Sequence, residues 1–158
     1  MEMFNPFVHL KNQIIKPIVD KAGGYYDLIV YDNSGVSNEN WWVAGAAVGN
    51  CTKSFTCDRA SDAHNVFNQI DTYMGEGADY ITEIQFWCHG STEAALIGGR
   101  AIDPESFGKI KRHMSKKYKT YIWLRTCNAG NSLQYMKDVA HYSGADYVGA
   151  HKCVIGVL

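Results

Sequence analysis

The chain has no apolar run that approaches the ~20 residues a membrane-spanning helix needs, so an α-helical span is excluded as its organising feature. It also lacks an excess of either charge. Fifteen basic residues against sixteen acidic ones leave a net charge of −1. That gives no surplus for holding nucleic acid through counterion release. It has no Cys-x-x-Cys pair, which removes the zinc ribbon and the thioredoxin motif. The cysteines themselves, Cys51, Cys57, Cys88, Cys127 and Cys153, are odd in number and irregularly spaced. Free thiols in a reducing compartment, and hence a cytoplasmic location, are expected, with a Cys51–Cys57 bridge left open. The first residues, MEMFNPFVHLKNQ, have neither a basic start nor an uninterrupted apolar block, so no signal peptide is expected there. Repeats, linkers and low-complexity stretches are absent, and residues 1–158 read as a single domain.

Apolar residues make up 46% of the chain, enough for a sizeable core. Asn5-Pro6 opens a first amphipathic helix carrying Phe7, Leu10, Ile14 and Ile18, with Pro17 ending it early. Tyr25 to Tyr31 (YYDLIVY) reads as a strand, and Trp41 to Val48 (WWVAGAAV) as a second. Residues 49–59 read as irregular. Ser61 is expected to cap a helix with Val66, Phe67, Ile70 and Met74 on one face. Ile81 to Cys88 is the next strand. Ser91 to Ala101 suggests a small hairpin turning at Gly98-Gly99. Asp103-Pro104 then opens a helix with Phe107, Ile110 and Met114 inward. Its Lys109, Lys111, Arg112, Lys116 and Lys117 are expected to form a solvated face rather than an anion site. Thr120 to Thr126 is a strand. Ser132 caps a helix with Leu133, Met136 and Ala140 inward, Gly144 ends it, and a short strand begins at Tyr147. Strands alternating with helices predict an α/β fold, a mostly parallel sheet in a three-layer αβα sandwich, with the strands near residues 25–31, 82–88 and 120–126 adjacent and central.

Two of these strands end in reactive side chains. ITEIQFWCHG delivers His89 followed by Gly90, and KTYIWLRTCNAG delivers Cys127 followed by Asn128, Ala129 and Gly130. In an open parallel sheet, functional groups gather at the carboxyl ends of the strands. A thiol there, with an imidazole beside it and a helix starting just after it, has the minimum equipment of a cysteine nucleophile and its base. Gly90 lets its backbone N–H approach a substrate carbonyl, and with the N–H of Cys127 it would form an oxyanion hole.

An apolar strand ending in His-Gly, followed some forty residues later by a second ending in Cys, resembles the caspase-like clan (clan CD) of cysteine peptidases. RTCNAG is most similar to the versions in bacterial caspase-like, CHAT-type domains. The resemblance covers roughly residues 82–150. It implies a caspase-like αβα sheet, peptide-bond hydrolysis without cofactor or metal, a protein or peptide substrate, and a Cys127–His89 dyad. Where caspases carry Gln-Ala before the cysteine and metacaspases an acidic residue two before it, this chain has Arg125-Thr126.

Arg125 shares a strand face with Cys127. It is expected either to line the first substrate pocket, favouring an acidic residue before the cut bond, or to pair with Asp32 at the end of the first strand. Cys51, Cys57, Cys88 and Cys153 are expected to act as small buried hydrophobes. His9, His64, His113, His141 and His151 are expected to be structural or surface histidines, and Trp41, Trp42 and Trp123 to belong to the core. Two functions remain in play: a cysteine endopeptidase, or an inactive caspase-like scaffold that binds or assembles other proteins. A different Cys–His acyl transfer is a weaker third. Oligomeric state is not legible in the sequence.

Overall fold

The computed structural model describes residues 25–35, 51–76 and 80–153. The first amphipathic segment with His9, and the Trp41–Val48 run with Trp41 and Trp42, lie outside the described residues. The main sheet has five strands, β1 (Tyr26–Asp32), β2 (Lys53–Cys57), β3 (Ile81–Trp87), β7 (Tyr121–Arg125) and β8 (Tyr147–Ala150), in the order β2-β1-β3-β7-β8. All of its pairings are parallel. A smaller antiparallel sheet contains β4 (His89–Gly90), β5 (Ala95–Ile97) and β6 (Arg100–Ala101). With helices flanking a parallel sheet, this is the α/β architecture expected of a three-layer fold. The three strands predicted to be central, β1, β3 and β7, are adjacent neighbours in the middle of the sheet.

Side-chain alternation divides the sheet into two faces. Leu28 and Val30, Ile84 and Phe86, and Ile122 and Leu124 are buried on one of them. Against that face pack α1 (Asp62–Met74), a 3-10 helix (Pro104–His113) and α2 (Leu133–Ser143). Phe86 on β3 meets Phe67 of α1 at 5.8 Å and Phe107 of the 3-10 helix at 5.2 Å between ring centroids, and those two meet each other at 4.8 Å. These tilted ring contacts tie both helical segments to the central strand.

Several expectations are corrected. Residues 53–57 form an edge strand rather than irregular chain; Phe55 and Cys57, two apart and both buried, carry its period of two. Ser61 makes no side-chain capping bond. Instead Asp62 Oδ2 accepts the N–H groups of Asp58 and Arg59, which closes the turn ahead of α1 with a carboxylate. The segment after Pro104 is a 3-10 rather than an α-helix, although Phe107, Ile110 and Met114 are buried as expected. On α2 the buried positions are Tyr135, Val139 and Ser143. Leu133 is 65% exposed, because the face of α2 that packs on the core runs through Tyr135 and Val139. Ser132 does cap α2, accepting from Tyr135 N at 3.2 Å, and Gly144 ends it at φ 69°. The hairpin turns at Gly98 and Gly99, both at positive φ.

Among the described histidines, His113 is fully buried and its Nε2 meets Asp71 Oδ1 at 2.7 Å. Arg112 Nη2 lies 2.8 Å from the same oxygen. These partners, His113 first and Arg112 second, hold the Asp71 carboxyl below its ordinary value of 3.8. A carboxylate lowered on folding contributes stability above its unfolded pKa and loses it as pH falls through the folded one. Asp71→Asn is therefore expected to destabilise the protein at pH 7 and by clearly less at pH 2, as read from urea midpoints at the two pH values.

Candidate active site

β3 and β7 are paired in parallel up to Trp87↔Arg125. His89 and Cys127 each follow that last pair by two residues, so both motifs leave the sheet at the same carboxyl edge. The approach is closer than strand spacing alone requires. A Cβ built on Gly90 would collide with the carbonyl oxygen of Cys127, and would lie 2.8 Å from Thr126 Oγ1 and 2.9 Å from Thr126 Cβ. Only a glycine after His89 lets the two backbones touch in this way.

The small hairpin orients that glycine. Ser91 N donates to Ala94 O at 2.8 Å, and His89 and Gly90 are paired with Leu96 and Ala95. Hydrogen-bonded pairs alternate in an antiparallel ladder, so Gly90 occupies a non-hydrogen-bonded position. Its N–H points away from β5, as an oxyanion donor must. Thr126, fully buried beneath it, has a hydroxyl with no hydrogen-bond partner among the described residues.

After Cys127 the chain turns sharply. Asn128 takes the left-handed conformation at φ 60°, open to asparagine at lower cost than to most residues. A three-residue 3-10 turn, Ala129–Asn131, then leads into α2. The turn is bonded to the chain beyond β8. Asn128 N donates to Cys153 O at 3.1 Å, Gly130 N to His151 O at 2.9 Å, and Asn131 Nδ2 to Lys152 O at 3.0 Å. Gly130 faces the Ala150 carbonyl with room for no side chain.

No disulfide joins any of the five cysteines, so the Cys51–Cys57 bridge is not formed. Cys51, Cys57 and Cys88 are buried, as expected of small hydrophobes. Burial first, and then the nearby carboxylates of Asp62, Asp32 and Asp58, push the Cys57 thiol up to about 12. Burial likewise raises Cys88 well above its usual range. Neither is a nucleophile at neutral pH. Cys127 is half-buried, and Cys153, expected inside, is exposed.

Arg125 and Asp32 do not meet. Asp32 shares its face with Leu28 and Val30, and Arg125 is on the other face with Tyr121 and Trp123. Asp32, 6% exposed, spends one carboxylate oxygen on Ser34 N and the other on Gly98 N, both at 2.9 Å. It ties β1 to the hairpin turn and does not neutralise Arg125. Among the described residues no carboxylate pairs with Arg125. Its Nε donates to Gln85 Oε1 at 2.8 Å, and its guanidinium carbon lies 5.0 Å from the ring centroid of Trp87 and 5.9 Å from that of Trp123. Trp123, expected in the core, is 41% exposed. Gly149 on β8 leaves the space its ring occupies, since a Cβ there would lie 2.5 Å from Cζ3. Gln85 and Trp87 were not singled out from the sequence, and Trp123 only as a core residue. The signal available was the polar and aromatic alternation of Glu83, Gln85 and Trp87 along β3.

No group of three or more His, Cys, Asp or Glu side chains that could hold a metal occurs among the described residues, and none of their helices is long and apolar enough to cross a membrane. No family model, no curated protein and no solved structure matches this chain.

Proposed function

We propose that the protein is a cysteine endopeptidase working through Cys127 and His89. The observation that carries this reading is the contact of the two motifs: the Gly90 backbone packed on the Cys127 carbonyl at the carboxyl edge of two adjacent parallel strands. In the proposed reaction His89 takes the proton of Cys127, and Sγ attacks the scissile carbonyl carbon. The Gly90 and Cys127 N–H groups hold the resulting oxyanion. His89 then gives its proton to the leaving amine, and water hydrolyses the thioester. Thiol, imidazole and two amides suffice for these steps.

Arg125, the last residue of β7 and two before Cys127, supports a preference for an acidic residue preceding the cut bond, since a guanidinium fork matches a carboxylate. Fluorogenic peptides varied at that residue test the whole reading. Preferential cleavage after Asp or Glu, lost in Arg125→Glu, is the expected result. Equal or better cleavage after Lys, Arg or apolar residues removes the acidic preference. No cleavage of any peptide favours the second reading, a binding scaffold without proteolysis. One observation speaks for that alternative: Tyr121, Trp123 and Tyr147 are exposed together on the sheet face that carries Arg125, and exposed aromatic patches mark interaction surfaces.

A further inference from the structure

We infer that Gln85 is a positioning residue that aims Arg125 at the acidic side chain of the substrate, an inference that rests on the peptidase reading above. Gln85 is on β3, paired with Trp123 and one repeat below Trp87. Its amide orientation is over-determined. Nε2 donates to Glu83 Oε1 at 2.6 Å, which turns Oε1 the other way. There Oε1 receives two donors, Trp87 Nε1 at 3.0 Å and Arg125 Nε at 2.8 Å. A carbonyl oxygen has two lone pairs, and both are occupied.

The consequence concerns which edge of the guanidinium remains. Arg can present either its Nε edge or the fork of its two terminal nitrogens to a carboxylate. Gln85 consumes the Nε edge, so the terminal fork is left for a ligand. Trp87 and Trp123 hold the cation from the sides, and the indole N–H of Trp87 is locked by the same glutamine. A neutral amide suits this task. It fixes the guanidinium without cancelling its charge, as a carboxylate at position 85 would.

The test uses the full chain and three peptidyl electrophiles that differ only at the residue next to the reactive group: Asp, Asn and Leu. The rate of Cys127 alkylation is measured for the unmodified protein, Gln85→Glu and Gln85→Leu. The Asp-over-Asn rate ratio is expected to fall by about tenfold in Gln85→Leu, the loss of one charge-assisted hydrogen bond. In Gln85→Glu it should fall further, because the new carboxylate occupies Arg125. The rates with the Asn and Leu probes should fall by clearly less than the rate with the Asp probe, so that the ratio itself moves. A ratio unchanged in Gln85→Glu overturns the inference. So does a parallel fall with all three probes, which would mark a structural role. If no probe alkylates Cys127 in the unmodified protein, the peptidase reading itself fails and takes this inference with it.

Discussion

Cys127→Ala is expected to abolish alkylation by peptidyl electrophiles and to lower peptide turnover by on the order of 10⁴-fold or more, while leaving the denaturation midpoint nearly unchanged. The thiol is half-buried, so its removal leaves no sealed cavity, and a stability change within about 1 kcal/mol is expected. On the proposed dyad, His89→Ala should cost nearly as much activity, and the double variant no more than either single one, because a nucleophile and its base act as a unit. Cys153 is the informative control. It is exposed, and its carbonyl accepts from the residue next to Cys127. A probe reacting only for its accessibility would modify Cys153, and labelling would survive Cys127→Ala while disappearing in Cys153→Ser. That outcome would remove the peptidase reading.

Gly90→Ala should have the largest effect on the fold as well as on the site. The added methyl would run into the Cys127 carbonyl oxygen and the buried Thr126 side chain. Neither is the yielding end of a flexible chain, so one strand end must move. Overpacking of this kind typically costs about 1–3 kcal/mol and sometimes more. The movement separates the proposed oxyanion donor and His89 from Cys127, so labelling should be lost even under conditions where the variant remains folded. Gly108→Ala provides the contrast. A Cβ there meets nothing within 4 Å, and alanine at an unstrained helical position is neutral or stabilising. If Gly90→Ala proves as stable and as reactive as Gly108→Ala, the close approach of the two motifs has no functional weight.

Much of this was legible because the signals were local. YYDLIVY, ITEIQFW and TYIWLR each combine β-branched and aromatic residues between breakers, and they became the three central strands. Gly98, Gly99 and Gly144 have positive φ, and each marked its turn or helix end as a glycine. The misses have a common cause, which is competition from tertiary structure. Leu133 is apolar but points outward, since the position of α2 is decided by Tyr135 and Val139 against the core. Trp123 is large and apolar, yet it lies on the second sheet face because Leu124 and Ile122 take the first. The same parity separates Asp32 from Arg125: each strand's alternation was readable, but the relative phase of β1 and β7 depends on the register of β3 between them. The Gln85 cradle needed that register too, since its members meet across strands.

The all-parallel ladder also bears on how the molecule comes into being. Gln85 and Arg125, bonded in the native state, are 40 residues apart along the chain, and no two neighbours in the main sheet are joined by a tight turn. Non-local pairings of this kind slow folding, because loop closure must precede any gain from contact. Among the described strands, the local pairings are those of the small sheet, β4–β5 and β5–β6, and these can form early. His89 and Cys127 would then stay apart throughout most of refolding, and the two would meet only once the β3–β7 ladder has closed. Recovery of Cys127 reactivity after dilution from denaturant should follow the slow global phase.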